Sequence, residues 1–598
     1  MCGIVAGIAN HNIVPILSNG LSYLEYRGYD SAGISIIGKD NDSLLSYKQV
    51  GKVRELKKLI PEDCISLAGI AHTRWATHGK PSKKNSHPHT SNNTVAVVHN
   101  GIIENFTTIK TELLELGYQF ESDTDTEVIA HLIHHYMQAN KCVAEAINKA
   151  CSRLSGSYAL AIIALTAPNK IYAVCKDSPL VIGLGASGNF LASDQIALLE
   201  VSQEFIYLES HQTAILQTNG VEVYDRSGKI IEPEKHTIAI QEQYDPLGDH
   251  KHFMHKEIYE QEQVANKIIQ KYFAQEFNPE LQTILSNTKK IHIAACGTSY
   301  HAAMLAKYWI EELANIPVAV HIASEYRHHQ PPHEEKTIFI CISQSGETAD
   351  TLAALKLAAS SNRYIATIAI CNSAHSSITR ESDIFLPMLA GKEIGVASTK
   401  AFTAQVLCLL SIASNLNNSV HSQIMQELEQ LPKTISQTLA LEEQIRDMAV
   451  AISNAKNIMV LGRNAYYPIA LEGALKLKEI TYTHTEAYAS GELKHGPIAL
   501  IDKDIVIIAL MPNDKLLQKN ISNVQEITAR GGNIICIKEE TAEVSSINCT
   551  ELILPSAGRV CSIISYTIAL QLLAYHTANT KGNDVDQPRN LAKSVTVE

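Results

Sequence analysis

Cys2 follows the initiator methionine, so removal of Met1 leaves a thiol and a free α-amine on one residue. A thiol of pKa about 8.5 is only a few per cent thiolate at neutral pH. An α-amine of pKa about 7.7–8.0 is well matched to general-base work there. One residue would then supply both nucleophile and base. The plainer reading is a small buried residue at the start of a strand, and position alone favours it. Two further segments shift that balance. His72-Thr73-Arg74-Trp75-Ala76-Thr77-His78-Gly79 offers a guanidinium that can fork onto a carboxylate. His99-Asn100-Gly101 follows a strand-like run, and the Asn100 amide with the next backbone N–H could form an oxyanion hole. Asp123-Thr124-Asp125-Thr126-Glu127 opens a helical pattern and offers an anion for an ammonium group, or serves as simple N-capping. Arginine, aspartate and a nucleophile together suit an α-amino acid substrate.

A second set of residues lies in the other half of the chain. Ser343-Gln344-Ser345-Gly346-Glu347-Thr348 falls between a strand and a helix, where hydroxyls and free N–H groups make an anion site. It has no P-loop lysine, so a small phosphate monoester fits better than a nucleoside triphosphate. The plainer reading is a capped helix, with Ser345 at the N-cap and Glu347 and Asp350 facing the dipole; those carboxylates would repel a phosphate. Cys296-Gly297-Thr298-Ser299 repeats the layout one βα unit earlier. Glu472, Lys476 and Glu479 fall on one helical face, either as a solvated stripe or as an acid–base row in a cleft. His495 sits in a polar loop and is either structural or a proton carrier. The polar tail, of a kind usually disordered, carries Lys593, which could form a Schiff base if desolvated.

The elements that must position these groups fall into distinct stretches. The chain has 598 residues, 45% hydrophobic and 19% charged, with a net charge of −12. That is the composition of a folded globular protein of three to four domains. The acidic balance argues against a nucleic-acid footprint, and no run is read as reaching a membrane span of roughly 18 apolar residues. The N-terminus lacks the basic flank of a signal peptide. The 12 cysteines form no C-x-x-C pair, and His134-His135 diverge on a helix, so neither zinc nor a disulfide scaffold is indicated. Residues 2–240 are rich in short β runs with helices near 125–138 and 143–154, which reads as a layered α+β domain. Residues 241–249 read as a linker. Beyond it strands and helices alternate as in parallel sheets. The pattern recurs, with Gly297 matched by Gly462 and Glu325-Tyr326 by Glu486-Ala487-Tyr488, so we read two copies of one α/β domain at 250–430 and 431–583. A tail of 584–598 follows.

Cys2-Gly3-Ile4-Val5-Ala6-Gly7, Tyr26-Arg27-Gly28-Tyr29-Asp30-Ser31-Ala32-Gly33, the 72–79 motif, His99-Asn100-Gly101 and Thr124-Asp125-Thr126-Glu127 resemble the glutaminase domain of class II glutamine amidotransferases. By that resemblance Cys2 attacks the glutamine side-chain amide and releases ammonia, and Asn100 and Gly101 hold the oxyanion. Arg74, Thr77 and Asp125 bind the glutamine. Trp75 corresponds to a gate towards an ammonia passage. The 343–348 motif, Glu393-Ile394-Gly395-Val396-Ala397-Ser398-Thr399-Lys400, the 472–479 and 492–497 segments and the tail carry the resemblance over the whole chain. They resemble the bacterial-type isomerizing glutamine–fructose-6-phosphate aminotransferases. Asn464-Ala465-Tyr466 departs from that pattern in a loop where relatives often have another glycine.

The resemblance implies an α+β N-terminal nucleophile (glutaminase) domain followed by two tandem α/β sugar isomerase (SIS) domains with parallel sheets. It implies that Ser343, Gln344, Ser345 and Thr348 bind the sugar phosphate and that Thr298, Ser299, Val396 and Ser398 line the sugar site. Lys593 forms the Schiff base with the opened sugar, Glu479 moves the proton between C1 and C2, and Lys476 supports it. His495, from the neighbouring subunit, assists ring opening. An amine of pKa well above 7 is mostly protonated in bulk water, so an enclosed passage for ammonia is expected. The expectation is a cytoplasmic homodimer acting on glutamine and fructose 6-phosphate in the first committed step of amino-sugar biosynthesis. No metal or organic cofactor, nucleic acid or membrane is implied. Two alternatives stay open: another class II amidotransferase, which would need a phosphoribosyltransferase signature after the linker, and a sugar-phosphate-sensing binding protein.

Overall fold

The computed structural model describes residues 2–139, 142–237, 247–275, 277–329, 331–332, 334–544 and 547–596. Residues 241–246 of the expected linker lie outside these. The chain divides into two compact units, Met1–Asp245 with Ser594–Glu598, and Pro246–Lys593.

The first unit is built on two antiparallel sheets, one of eight strands and one of seven. Its strands read as continuous apolar runs because both faces are covered. In Gly3–Ala9, Ile4, Ala6 and Ile8 enter one apolar cluster while Val5 and Ala9 enter another. Val95–Ile103 and Gly156–Ala164 alternate in the same way. The shared cluster fills the space between the sheets. Helix Val14–Tyr23 covers the outer face of one sheet, and Glu127–Ala139 and Val143–Arg153 cover that of the other. Strand register fixes the first candidate site. Gly3 pairs with Thr73, and Ser31 with Arg74 on the far side of the same strand, so Cys2 and Arg74 are carried to one end of the sheet.

The second unit holds two five-stranded parallel sheets. In the first, Lys290–Ala295 lies between Val318–Ile322 and Thr337–Ser343, followed by Ala366–Cys371 and Ile384–Pro387. In the second, Asn457–Gly462 lies between His484–Ala489 and Val506–Met511, followed by Asn533–Glu539 and Thr550–Leu554. The strand order, 2-1-3-4-5, is the same, so the repeat read from the sequence is present. The Glu–Tyr pair used to align it is not equivalent, however: Glu325-Tyr326 lies in a helical turn after its strand, and Glu486–Tyr488 inside its strand. Asn464 has φ +54, so asparagine takes a left-handed position that glycine would accept freely.

One apolar core runs through both sheets' helices. Helix Arg559–Thr580 is long and apolar enough by composition to cross a membrane, which corrects the expectation that no run reaches that length; its residues 560–578 are buried in the protein. A helix surrounded on every side is apolar all round. In an open parallel sheet of this order, ligands bind beyond the carboxyl ends of the strands where the order reverses. For the first sheet that point lies between the loops following Ala295 and Ser343.

Candidate active site

In the first unit the Cys2 thiol lies over the turn after strand Ala68–Arg74. Trp75 N–H points at Sγ at 3.3 Å, and the thiol is 3.5 Å from the Trp75 carbonyl. Asn100 Nδ2 donates to the Cys2 carbonyl at 3.1 Å. His72 fixes that amide, because its Nε2–H faces Asn100 Oδ1 at 3.1 Å and the His99 carbonyl at 3.0 Å. Burial pushes His72 down to about 3, so the ring is a neutral donor. Arg74 donates through Nη2 to the carbonyls of His78 and Gly79, while its buried Nη1 has no partner among the described residues. Asp125 Oδ2 accepts the Ile103 N–H at 2.8 Å, and Oδ1 is 4.0 Å from His78 Nδ1. Burial pushes the Cys2 thiol up, against a downward pull from the Arg74 guanidinium, so the unassisted thiol is a poor nucleophile.

Cys2, Arg74, Trp75, Asn100 and Asp125 thus share one place, while Thr77 lies exposed on the same turn. The 123–127 segment does more than cap a helix. Thr124 Oγ1 meets His89 Nε2 at 3.1 Å, and Glu127 takes the N–H groups of Glu121 and Ser122.

In the second unit, helix Tyr466–Thr481 carries Glu472, Lys476 and Glu479 into the interior. Lys476 Nζ is 2.7 Å from Glu479, 3.4 Å from Glu472 and 3.1 Å from Thr298 Oγ1. Glu472 also accepts from Thr298 Oγ1 at 3.0 Å and meets His301 Nδ1 at 2.8 Å. The row is therefore a buried cluster and not a solvated stripe. Burial opposes each charge, but Lys476 and His301 hold Glu472 below the usual carboxylate range, and Glu472 and Glu479 hold Lys476 above its own. Ser299 Oγ accepts from Gln405 Nε2 at 3.0 Å.

The tail packs against the same unit. Lys593 Nζ, on a side chain 4% exposed, donates to Glu393 Oε2 at 2.5 Å and to the Gly395 carbonyl at 2.8 Å. Glu393 also accepts from Ser398 Oγ and from the N–H groups of Thr399 and Ala401. Despite its burial, the Lys593 ammonium and these donors hold Glu393 down at about 2. Val396 N–H donates to the Asp586 carbonyl at 3.0 Å. Glu393 also helps, after Glu472 and Glu479, to hold the charge on Lys476.

Ser343 Oγ lies 2.9 Å from Thr348 Oγ1 and accepts the Gly346 N–H at 3.0 Å. The N-cap of helix Ala349–Ser360 is Thr348 and not Ser345, because Gly346, at φ +70, turns the chain before the helix starts. Glu347 accepts the Ser377 N–H at 2.8 Å and Asp350 pairs with Arg327 at 3.2 Å, which reduces the repulsion expected for a phosphate. Gln344 is half-buried in this loop. His495 ends a 3₁₀ turn, exposed, with no hydrogen bond to the acid–base row among the described residues.

Three residues with evident work here had no role in the sequence reading: His72, His301 and Glu393. His72 and Glu393 stood in quoted motifs, and His301 lies three positions after Thr298 on one helix.

The description "Glutamine amidotransferase domain" matches residues 72–200, and "SIS domain" matches 284–414 and again 451–580. The chain is 46% identical to a glutamine–fructose-6-phosphate aminotransferase (isomerizing) of Legionella pneumophila (strain Paris), covering 100% of both chains. It is 46% identical to the protein of that name in Pseudomonas putida, again over 100% of both. A solved C-terminal domain of glucosamine-fructose-6-phosphate aminotransferase from Francisella tularensis matches with TM-score 0.55 and 43% identity, covering 57% of this chain and 100% of that one.

Proposed function

The chain belongs to the isomerizing glutamine–fructose-6-phosphate aminotransferases, and from that premise we propose how its own residues divide the work. The enzyme transfers the amide nitrogen of glutamine to fructose 6-phosphate and isomerises the product to glucosamine 6-phosphate, releasing glutamate.

In the first half-reaction, Arg74 takes the glutamine α-carboxylate through its unpartnered Nη1 and Asp125 takes the ammonium, with Thr77 on the same turn. Once Met1 is removed, the Cys2 α-amine accepts the thiol proton and Sγ attacks the amide carbon. Asn100 Nδ2 and Gly101 N–H receive the oxyanion. Collapse expels ammonia, and water hydrolyses the thioester to glutamate. Trp75, at the mouth of the thiol, gates the ammonia, which must reach the sugar without meeting bulk water.

In the second half-reaction, Ser343, Gln344, Ser345 and Thr348 take the sugar phosphate, and Thr298, Ser299, Val396 and Ser398 flank the sugar. The Lys593 amine condenses with the C2 ketone and releases water. Ammonia then displaces the lysine. Glu479 moves a proton from C1 to C2, with Lys476 holding its carboxylate in place. We read the working form as a cytoplasmic homodimer in which the exposed His495 turn serves ring opening in a second copy.

The observation that carries this reading is the buried Lys593–Glu393 pair beside the Glu472–Lys476–Glu479 row. A pure sensor of sugar phosphates has no need of a desolvated lysine next to an acid–base group. Amide-15N glutamine supplied with fructose 6-phosphate to wild-type and Cys2→Ala protein tests it. The wild type should form a labelled amino-sugar phosphate and the variant should not.

A further inference from the structure

The seven-residue helix Phe253–Tyr259 touches the Lys593 arrangement at two places. At its start, the Phe253 and Met254 N–H groups donate to the Asp586 carboxylate of the tail at 2.9 and 2.8 Å. At its middle, Glu257, 1% exposed, accepts the N–H groups of Ile394 at 2.5 Å and Gly395 at 3.1 Å through Oε1. Its Oε2 has no hydrogen-bond partner among the described residues. A Cβ on Gly395 would stand 2.9 Å from that oxygen, so the turn closes on the carboxyl as tightly as glycine allows. The same turn presents the two acceptors of Lys593, the Glu393 carboxylate and the Gly395 carbonyl.

We propose that Glu257 is a positioning residue for the imine-forming lysine: its carboxyl fastens the Glu393–Gly395 turn that holds the Lys593 ammonium. The inference rests on the reading of Lys593 as the Schiff-base residue and adds a residue to it. The proton balance shows what the arrangement does. Lys593 passes a proton to Glu393, and the freed nitrogen attacks C2. The carbonyl π pair moves to oxygen, which takes the proton released from that nitrogen. The carbinolamine hydroxyl then leaves as water with the proton held by Glu393. An iminium remains opposite the Glu393 carboxylate, so the net charge of the Lys593–Glu393 pair is zero at every stage.

A second ionised carboxyl at this place would oppose the first proton transfer, because it would hold the ammonium charged. Burial and then repulsion from Glu393 push Glu257 up to about 8, so below that pH it is neutral, with Oε1 accepting the two N–H groups and the carboxyl proton left to Oε2. The charged groups facing it are Glu393 on the turn, Lys593 on the tail and Lys400 on helix Lys400–Leu416. Lys400 is itself paired with Glu260 at 2.6 Å, and Lys256 with the same carboxylate at 3.1 Å. Asp586, at the head of the helix, is pushed up by burial. Above about 8 the Glu257 charge tightens the hold on the Lys593 proton.

The test uses full-length protein with fructose 6-phosphate and no glutamine, quenched with borohydride at intervals, the adduct being mapped by mass. Wild type should give an adduct on Lys593. Glu257→Ala should slow trapping about tenfold or more, and Glu257→Gln, which keeps an oxygen for the two N–H groups, should recover to within about threefold. The ratio of Glu257→Gln to wild-type rate should rise between pH 7 and 9, because the amide cannot ionise. Trapping in Glu257→Ala at the wild-type rate overturns the proposal, as does a Glu257→Gln ratio that is flat with pH. If Glu257→Ala does not fold, the Glu257→Gln ratio decides. A wild type with no adduct on Lys593 overturns the lysine reading itself, and that failure shows before any variant is compared.

Discussion

Replacing Lys476 by methionine removes a cation that three partners surround in the interior. Its side chain is 1% exposed, and Glu472 beside it is 2% exposed. Deleting one member of a buried pair costs ~3–5 kcal/mol, because the survivor becomes an uncompensated buried charge. Glu479 is 20% exposed and can turn to water, so the cost falls mainly on Glu472. Glu472 keeps the Thr298 hydroxyl and His301 Nδ1, which places the expected loss near the lower end, at ~3 kcal/mol. In a unit of this size that is on the order of 5 °C in melting temperature.

Adding Glu472→Gln to Lys476→Met removes the orphaned charge and keeps an acceptor. The double variant should regain at least ~1 kcal/mol over the single one. The pH dependence has a definite sign. Glu472 is held below its unfolded value of 4.5, so the stability it contributes is present above 4.5 and is lost as pH falls through the lowered folded value. The gap between wild type and Lys476→Met should therefore narrow at acid pH. Calorimetry and circular dichroism at pH 7 and at a pH well below 4.5 read both effects. Equal melting of wild type and Lys476→Met, or a double variant no more stable than the single one, would refute the buried-cluster reasoning.

Gly346→Ala places a Cβ 1.9 Å from Ser376 Oγ at a backbone φ of +70, so the loop must shift. Calorimetric titration should show fructose 6-phosphate binding weakened by about tenfold or more, and unchanged affinity would remove 343–348 as the phosphate site. Asp586→Ala removes two N–H acceptors at the head of helix Phe253–Tyr259, each worth ~1 kcal/mol. The tail should then be cut by protease before the second unit melts, and wild-type resistance would contradict its anchoring role.

The first unit's site was legible because its motifs are short and lie on paired strands. Cys2, Arg74, Asn100 and Asp125 each sit in a run whose chemistry shows locally, and register alone brings Cys2 to Arg74. The fold class and the βα repeat were legible for a similar reason, since strand and helix alternate with distinct periods. The Lys593 site was legible only through resemblance. Lys593 and Glu393 lie 200 residues apart, and no local pattern links a polar tail to the loop between strand Ile384–Pro387 and helix Lys400–Leu416. Glu257 is farther still and looks like one more charge on an amphipathic helix. The N-cap was misplaced because a glycine with positive φ bends the 343–348 loop before the helix begins. The long apolar character of 559–580 was missed because serine, threonine, tyrosine and glutamine interrupt it, although those between 560 and 578 are all buried.

The central claim is that nitrogen freed at Cys2 is consumed at Lys593. Mass analysis of the amino-sugar phosphate made from amide-15N glutamine, in the presence of excess unlabelled ammonium, tests it most directly. The account predicts glucosamine 6-phosphate carrying the heavy nitrogen from wild-type protein and none of it from Cys2→Ala. Absence of any amino-sugar phosphate from the wild type, or heavy product from Cys2→Ala, would contradict it.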